Sequence, residues 1–372
     1  MPIYDEVLSF IHSPAVEAFE ALALAVFRYQ FDYVPPYREY CIGRGANPQN
    51  VLTVGEIPAV STLAFKYARM ENLEEPPGPV ARTFLTSGTT IGKDERGRHL
   101  VLRPEIYRAS ALSHLRRMLF PDRRRLAMLA LHPTADRMPE SSLSQMITWC
   151  IEEFGADTAL CAATPRAVQD QAAIEFLSDR AAAREPVCIL GTTASIAALL
   201  TAMRANRIEL QLPAGSRLMD TGGAKGQAIP LSADEVVAEA LQTLGLEPSL
   251  VINEYGMTEM CSQLYDATAF NSPLSSLAGQ RMKLAPPWLR PAALDPVTLA
   301  PLEDGRAGVL SFFDLANVGS VSALMTEDFG VVRDGAVGII CRAAAADPRG
   351  CALAIEEFAA DQRVSDISPI VR

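Results

Sequence analysis

Apolar positions recur at helical spacing from about residue 3 to 30 (Val7, Leu8, Ile11, Val16, Phe19, Leu22, Leu24, Val26, Phe27), so the chain is expected to begin with helix. The Pro35-Pro36 pair is expected to stop it, and residues 37–73 read as loop and short elements. From Pro104 the pattern alternates. Helical periodicity over 104–120, 141–154, 165–183 and 194–206 is interleaved with short apolar runs at 126–131, 158–161, 187–190 and 217–219. A further helix starts at the capping box Ser232-x-x-Glu235, shows Val236, Val237, Ala240, Leu241 and Leu244 on one face, and ends at Gly245. A central strand over 250–252 follows. Strands alternating with helices of this length imply right-handed crossovers and a mainly parallel sheet covered on both faces. After Gln263 the runs shorten and are broken by Pro286-Pro287, Pro291, Pro296, Pro301, Gly305 and Gly308. There, 309–315, 321–325 and 336–341 read as strands of a smaller, largely antiparallel unit.

The expected fold class is therefore α/β, with a core domain over 1–340 and a short tail over 341–372. Its parallel part covers about 84–263 and its β-rich part about 264–340. Ligands of such sheets bind at the carboxyl ends of the strands. Two suggestive stretches fall there, one crossover apart: Asp220-Thr221-Gly222-Gly223-Ala224-Lys225-Gly226, and Asn253-Glu254-Tyr255-Gly256-Met257-Thr258-Glu259. The second delivers a ring, a hydroxyl and a carboxylate into one loop, as a nucleotide site requires: stacking on a base, contact with a phosphate oxygen, and a ligand for magnesium. A third stretch, Thr86-Ser87-Gly88-Thr89-Thr90-Ile91-Gly92-Lys93-Asp94, has the glycines and hydroxyls of a phosphate-cradling loop. It is not a Walker A loop. Gly88-x-x-x-Gly92-Lys93 is one residue short, and Asp94 stands where a magnesium-binding Ser or Thr is needed. A polar surface turn accounts for it equally well. Asp314-Leu315-Ala316-Asn317 and Thr326-Glu327-Asp328-Phe329-Gly330 both read as turns.

Composition narrows the classes. With 372 residues, 49% of them hydrophobic and 21% charged, the chain reads as globular and soluble. A formal net charge of −11 argues against nucleic acid or an anionic membrane as a partner. The seven cysteines show no C-x-x-C spacing, the start Met-Pro-Ile-Tyr-Asp-Glu lacks a signal-peptide layout, and no apolar run approaches membrane-spanning length, so a cytoplasmic location is expected. His12, His99, His114 and His132 show no metal-ligand spacing, and no G-x-S-x-G elbow points to a hydrolase. His132 ends an expected strand and could line a ligand site, although a lone histidine there is more often structural.

In order and spacing, Thr86-Ser87-Gly88-Thr89-Thr90, Gly222-Gly223-Ala224, Tyr255-Gly256-Met257-Thr258-Glu259, Asp314-Leu315, Thr326-Glu327-Asp328 and Arg342 resemble the nucleotide motifs of the adenylate-forming superfamily. Glu254 to Glu259 with Ser262-Gln263-x-Tyr265, and Pro139-Glu140-Ser141-Ser142-Leu143-Ser144, narrow the resemblance to the acyl-protein synthetase family. The early Tyr37-Arg38-x-Tyr40-Cys41, Ile57-Pro58 and Phe65-Lys66 fit it too. The resemblance implies attack of a fatty or aromatic carboxylate on the α-phosphate of ATP-Mg2+, giving an acyl-adenylate and pyrophosphate. It implies that Thr86, Ser87, Gly88, Thr89 and Thr90 form the phosphate loop, that Gly222, Gly223 and Ala224 line the adenine and acyl pocket, and that Tyr255 and Gly256 meet adenine. Thr258 would contact the α-phosphate, Glu259 would bind magnesium, and Asp328 with Arg342 would hold the ribose hydroxyls.

Most members of the superfamily carry a further mobile domain whose lysine contacts the reacting oxygens, and this full domain is expected to be absent here. Lys225 is a candidate replacement, a solvated surface charge being the simpler reading. Cys351, in Pro348-Arg349-Gly350-Cys351-Ala352-Leu353, matches the place of the acylated cysteine implied by the family, with Arg349 favouring a thiolate. A buried small residue accounts for it as well. Cys341 reads as core. The acyl acceptor is thus Cys351 and then a partner protein (a reductase or a carrier protein), or coenzyme A or carrier pantetheine with Cys351 inert. An inactive nucleotide-binding partner protein is the alternative from another class.

Overall fold

The computed structural model describes residues 3–75, 77–86, 96–122, 124–222, 231, 233–270, 276–277 and 280–342. They form two compact units, one from the two ends of the chain (to Pro76 and from Ser272) and one over Pro77–Asn271. The first begins with helices α1 (Ile3–His12), α2 (Phe19–Tyr33) and α3 (Pro35–Gly43), followed by β1 (Val60–Ser61) and the short α4 (Ala64–Tyr67). Helix α2 buries Phe19, Ala23, Val26, Phe27 and Gln30, a stripe at helical spacing that includes one polar side chain. Pro35-Pro36 does not simply end helix. The pair occupies the first turn of α3, where a missing N–H costs nothing and a fixed φ is already helical.

In the second unit, β2 (Arg82–Leu85) and β3 (Arg98–Val101) form an antiparallel pair, with Arg82 opposite Val101 and Leu85 opposite Arg98. Then come α5 (Pro104–Met118), β4 (Leu126–Ala130), α6 (Ser142–Phe154), β5 (Gly155–Cys161), α7 (Asp170–Ala183), β6 (Val187–Thr192), α8 (Thr193–Ala205), β7 (Arg217–Thr221), α9 (Ala233–Leu244), β8 (Val251–Tyr255) and β9 (Leu264–Asp266). The strands lie in the order β5-β4-β6-β7-β8-β9, parallel except for the β8–β9 pair. Every residue of β4 and β7 is buried, as expected of strands covered on both faces. Ile196, Leu200 and Met203 of α8 and Val236, Ala240 and Leu244 of α9 pack on Leu129, Ile189 and Leu218 of the sheet. Each of these side chains other than Ala240 contributes about 1.5–3 kcal/mol on burial. The helix expected over 165–183 starts only at Asp170, because Ala163 and Val168 close a bridge across residues 164–167. Ser232 lies outside the described residues, so its capping box does too.

The first unit resumes with two short antiparallel strands, β10 (Ser276–Leu277) and β11 (Gln280–Arg281). After them come β12 (Lys283–Leu284), β13 (Leu289–Leu294), β14 (Ala307–Asp314), β15 (Ala323–Arg333) and β16 (Ala336–Arg342). These run β13-β14-β15-β16-β12, antiparallel throughout, with β1 parallel on β15. Thr326 to Gly330 lies inside β15 and is not the turn expected from its composition. Asp314 does turn the chain, its side chain accepting from Ala316 N at 3.0 Å. Cys341 is half-buried and not part of a core. Among the described residues, no helix is long and apolar enough to cross a membrane.

Candidate nucleotide site at the carboxyl ends of the strands

The parallel register sets the site in rows. Thr192 lies beside Thr221, Asp220 beside Asn253 and Thr221 beside Glu254. Glu254 then faces Tyr265 across the antiparallel pair. The last residues of β6, β7 and β8 are therefore polar and adjacent, although the strands below them are apolar. Their side chains satisfy one another, as burial demands. Thr221 Oγ1 donates to Glu254 Oε2. Thr193 Oγ1 lies 2.7 Å from Asp220 Oδ2 and 2.6 Å from the Gly222 carbonyl. Asn253 Nδ2 donates to Asp220 Oδ2 at 2.8 Å, and Asn253 N donates to Asp266 Oδ2 at 2.7 Å.

Two glycines shape the exits from these strands. Gly222 has φ +77°, a left-handed turn that lets the chain leave β7 without a side-chain penalty. At Gly256 the constraint is space, because a Cβ would stand 2.5 Å from Glu254 Oε1. Loop 256–263 then runs to β9 with Met257, Thr258 and Glu259 half-buried. Its anchor is His99 of β3, whose Nδ1 lies 2.7 Å from the Thr258 carbonyl. A carbonyl only accepts, so Nδ1 carries the proton. Burial lowers the His99 pKa to about 4, partly offset by that hydrogen bond, so the ring is neutral near pH 7.

The same hairpin holds the start of the glycine-rich stretch. Thr86 N donates to Gly97 O at 2.8 Å, and Gly97 N donates back to Thr86 Oγ1 at 2.8 Å. Arg96 Nε donates to Thr86 O at 2.7 Å, and Leu85 N donates to Glu140 O at 2.9 Å. Thr86 thus closes the hairpin from which the loop departs. Ser87, Gly88, Thr89 and Thr90 lie outside the described residues, as do Gly223, Ala224, Lys225 and Cys351.

His132 lies two residues past the end of β4, and its buried Nε2 has no hydrogen-bond partner among the described residues. Burial lowers its pKa to about 4. Gln263 Oε1 is likewise buried without a partner among them. In the other unit, Asp328 and Arg342 are register partners across β15 and β16, and Thr326 Oγ1 accepts from Asp328 N at 3.0 Å while donating to Leu310 O at 2.9 Å.

Sequence reasoning assigned no role to Thr193, Asp220, Asn253, Glu254 or His99. The visible signal for Asp220, Asn253 and Glu254 was polar residues towards the ends of strands with apolar middles, and Thr193 opens the helix that follows such a strand. His99 gave none, since its partner is a backbone carbonyl 159 residues away.

The model of the family described as acyl-protein synthetase, LuxE, matches residues 8–359. The chain belongs to the acyl-protein synthetase family. Membership makes it a ligase. A long-chain-fatty-acid–luciferin-component ligase from Aliivibrio fischeri is 23% identical over 346 residues, which cover 90% of this chain and 87% of the relative. Among solved structures, 2-hydroxyisobutyryl-CoA ligase in complex with 2-HIB-AMP and CoA aligns with TM-score 0.63 at 16% identity over 89% of this chain and 69% of that one. This shows a shared fold. ATP-bound MatB from Rhodopseudomonas palustris aligns over 70% of this chain and 47% of its own length, at 16% identity and TM-score 0.49, so the chain spans about half of that protein.

Proposed function

We propose that this acyl-protein synthetase family member uses ATP to activate a carboxylic acid as an acyl-adenylate and then passes the acyl group to a thiol. The observation that carries this reading is the loop after β8. Tyr255, Thr258 and Glu259 leave a strand end braced by Thr221–Glu254 and are tied by Thr258 O to the hairpin that begins the glycine-rich stretch. A carboxylate is a poor electrophile because oxide cannot leave. Joining it to the α-phosphorus of ATP expels pyrophosphate and makes AMP the next leaving group. Such chemistry needs positioning and charge neutralisation more than proton transfer, and rigid backing of the loop serves both.

In this reading Tyr255 stacks on adenine beside Gly256, Thr258 binds the α-phosphate, and Glu259 holds Mg2+. One carboxylate suits an ion that takes most of its remaining ligands from phosphate and water. Ser87, Gly88, Thr89 and Thr90 cradle the outer phosphates, with Thr86 fixing their starting point. Gly222, Gly223 and Ala224 line the pocket, and Lys225 supplies a cation to the reacting oxygens. Asp328 and Arg342 hold ribose. Cys351 takes the acyl group and hands it to a partner protein. The relative's name supports a long-chain fatty acid as substrate.

The test is intact mass of wild-type and Cys351→Ser protein after incubation with ATP, Mg2+ and a panel of fatty and aromatic acids, with pyrophosphate followed in parallel. The expected result is acid-dependent pyrophosphate release by both proteins and an acyl adduct on wild type alone. Release without any adduct moves the acceptor to coenzyme A or a carrier protein.

A further inference from the structure

His99 stands where two segments of the proposed site meet. In the β2–β3 pair Phe84 lies opposite His99 and Leu85 opposite Arg98, and Thr86 and Gly97 extend the ladder by bonding each other in both directions. One antiparallel ladder therefore runs from the start of the glycine-rich stretch to His99. From there Nδ1 donates across to the Thr258 carbonyl at 2.7 Å, in the loop after β8. His99 is 2% exposed, so the bond is shielded from water and correspondingly strong.

Both partners are also held without it. The hairpin is fastened by Leu85 N donating to Glu140 O at 2.9 Å, by Arg96 Nη1 donating to Glu140 Oε2 at 3.3 Å, and by Phe84 edge-on to Tyr107, with ring centroids 5.8 Å apart. The loop is fastened near its ends, by Thr221 bonding Glu254 before it and by Ser262 Oγ, 3.0 Å from Ser110 Oγ, behind it. Met260 N donates to Met257 O at 3.1 Å, a bond within the loop itself. The His99 bond instead ties the middle of the loop, at Thr258, to the hairpin. Losing it should spare the hairpin and the loop ends and release Thr258.

We propose that His99 is a positioning residue whose Nδ1–H keeps the Thr258 hydroxyl and the Glu259 carboxylate in register with the glycine-rich stretch, so that both segments close on one triphosphate. The inference rests on the adenylation reading and deepens it. His99 touches no reactant in that reading. It must donate, because a backbone carbonyl can only accept. Alignment of this kind acts on the chemical step, where a misplacement of about 1 Å costs about a hundredfold.

The test measures acid-dependent pyrophosphate exchange near neutral pH, with deuterium uptake by the full-length protein read in parallel by peptide mass spectrometry. His99→Leu is apolar and cannot donate, whereas His99→Asn keeps an N–H near the place of Nδ1. His99→Leu should exchange about thirty- to a hundredfold more slowly with its KM for ATP within about threefold of wild type, and His99→Asn should recover most of the rate. Joined to Thr258→Ala, His99→Leu should cost less than the product of the two separate losses, as expected of residues acting through one loop. Uptake should rise in peptides covering 256–263 and stay unchanged over 82–86. A raised KM with an unchanged rate, equal rates in the Leu and Asn variants, fully multiplicative losses, or uptake raised throughout residues 77–271 would overturn the proposal. A wild type that exchanges with no acid would overturn the adenylation reading instead, and unchanged uptake over 256–263 in His99→Leu would then still refute the role of His99.

Discussion

Thr221 and Glu254 end neighbouring parallel strands, and a hydroxyl donated to a buried carboxylate holds those ends together. Gly256 follows because a Cβ there would press on the same carboxylate. This much was partly legible, since Tyr255 and Gly256 mark the strand end and Glu254 precedes them. The contribution of His99 was not, because a side chain bonding a distant carbonyl leaves no local pattern. It does leave a pH signature. The ring has a folded pKa of about 4 against an ordinary 6.5, so the unfolded chain takes up the proton first. Its contribution to stability is complete above pH 6.5 and is lost as the pH falls from 6.5 towards 4, about 3 kcal/mol in all. His132 titrates in the same window, so wild type must be compared with His99→Gln. Urea unfolding across that range should show a clearly smaller acid loss in His99→Gln. Superimposable pH profiles would remove the anchor from the account.

Helices and strands were legible where the local pattern and the tertiary environment agree. The alternation from Pro104 onward gives the parallel sheet because the buried strands carry short apolar runs, all of β4 and Leu218-Met219 within β7. Thr326-Glu327-Asp328 went the other way. Its residues favour turns, but Met325 and Phe329 on either side pair with β14 and Asp328 pairs with Arg342 of β16, which carries the three through as an irregular piece of strand, and that pairing is invisible locally. Gln30 shows the same limit within a helix. On α2 it looks like a break in an apolar stripe. In the fold its Nε2 donates to Asn317 O at 3.1 Å and to Ser322 Oγ at 2.9 Å, and Ser322 N donates to its Oε1 at 3.0 Å. It therefore clamps the loop that follows Asp314. Gln30→Leu should leave Ser322 N buried and without its acceptor, while Asn317 O keeps the bond from Ser320 N, costing about 1–3 kcal/mol by urea unfolding. It should also open residues 315–322 to limited proteolysis, whereas wild-type stability and protease resistance in the variant would show that the clamp is dispensable.

At the scale of the whole chain, the family match and the shared fold account for the two kinds of architecture, a covered parallel sheet and a smaller antiparallel one. The net charge of −11 is unsuited to polyanionic partners and does not oppose a site where Mg2+ accompanies the nucleotide. Polar residues at strand ends were readable as a candidate site. The partners that brace them were not, because they come from crossovers and a hairpin far along the chain. The central claim is that this site makes an acyl-adenylate reversibly, and the most direct measurement is acid-dependent exchange of labelled pyrophosphate into ATP. Wild type should exchange only when a suitable fatty or aromatic acid is present, and Thr258→Ala, with its fold intact by circular dichroism, should do so about a hundredfold more slowly. Exchange that is independent of acid, or absent with every acid of a broad panel, would contradict the account.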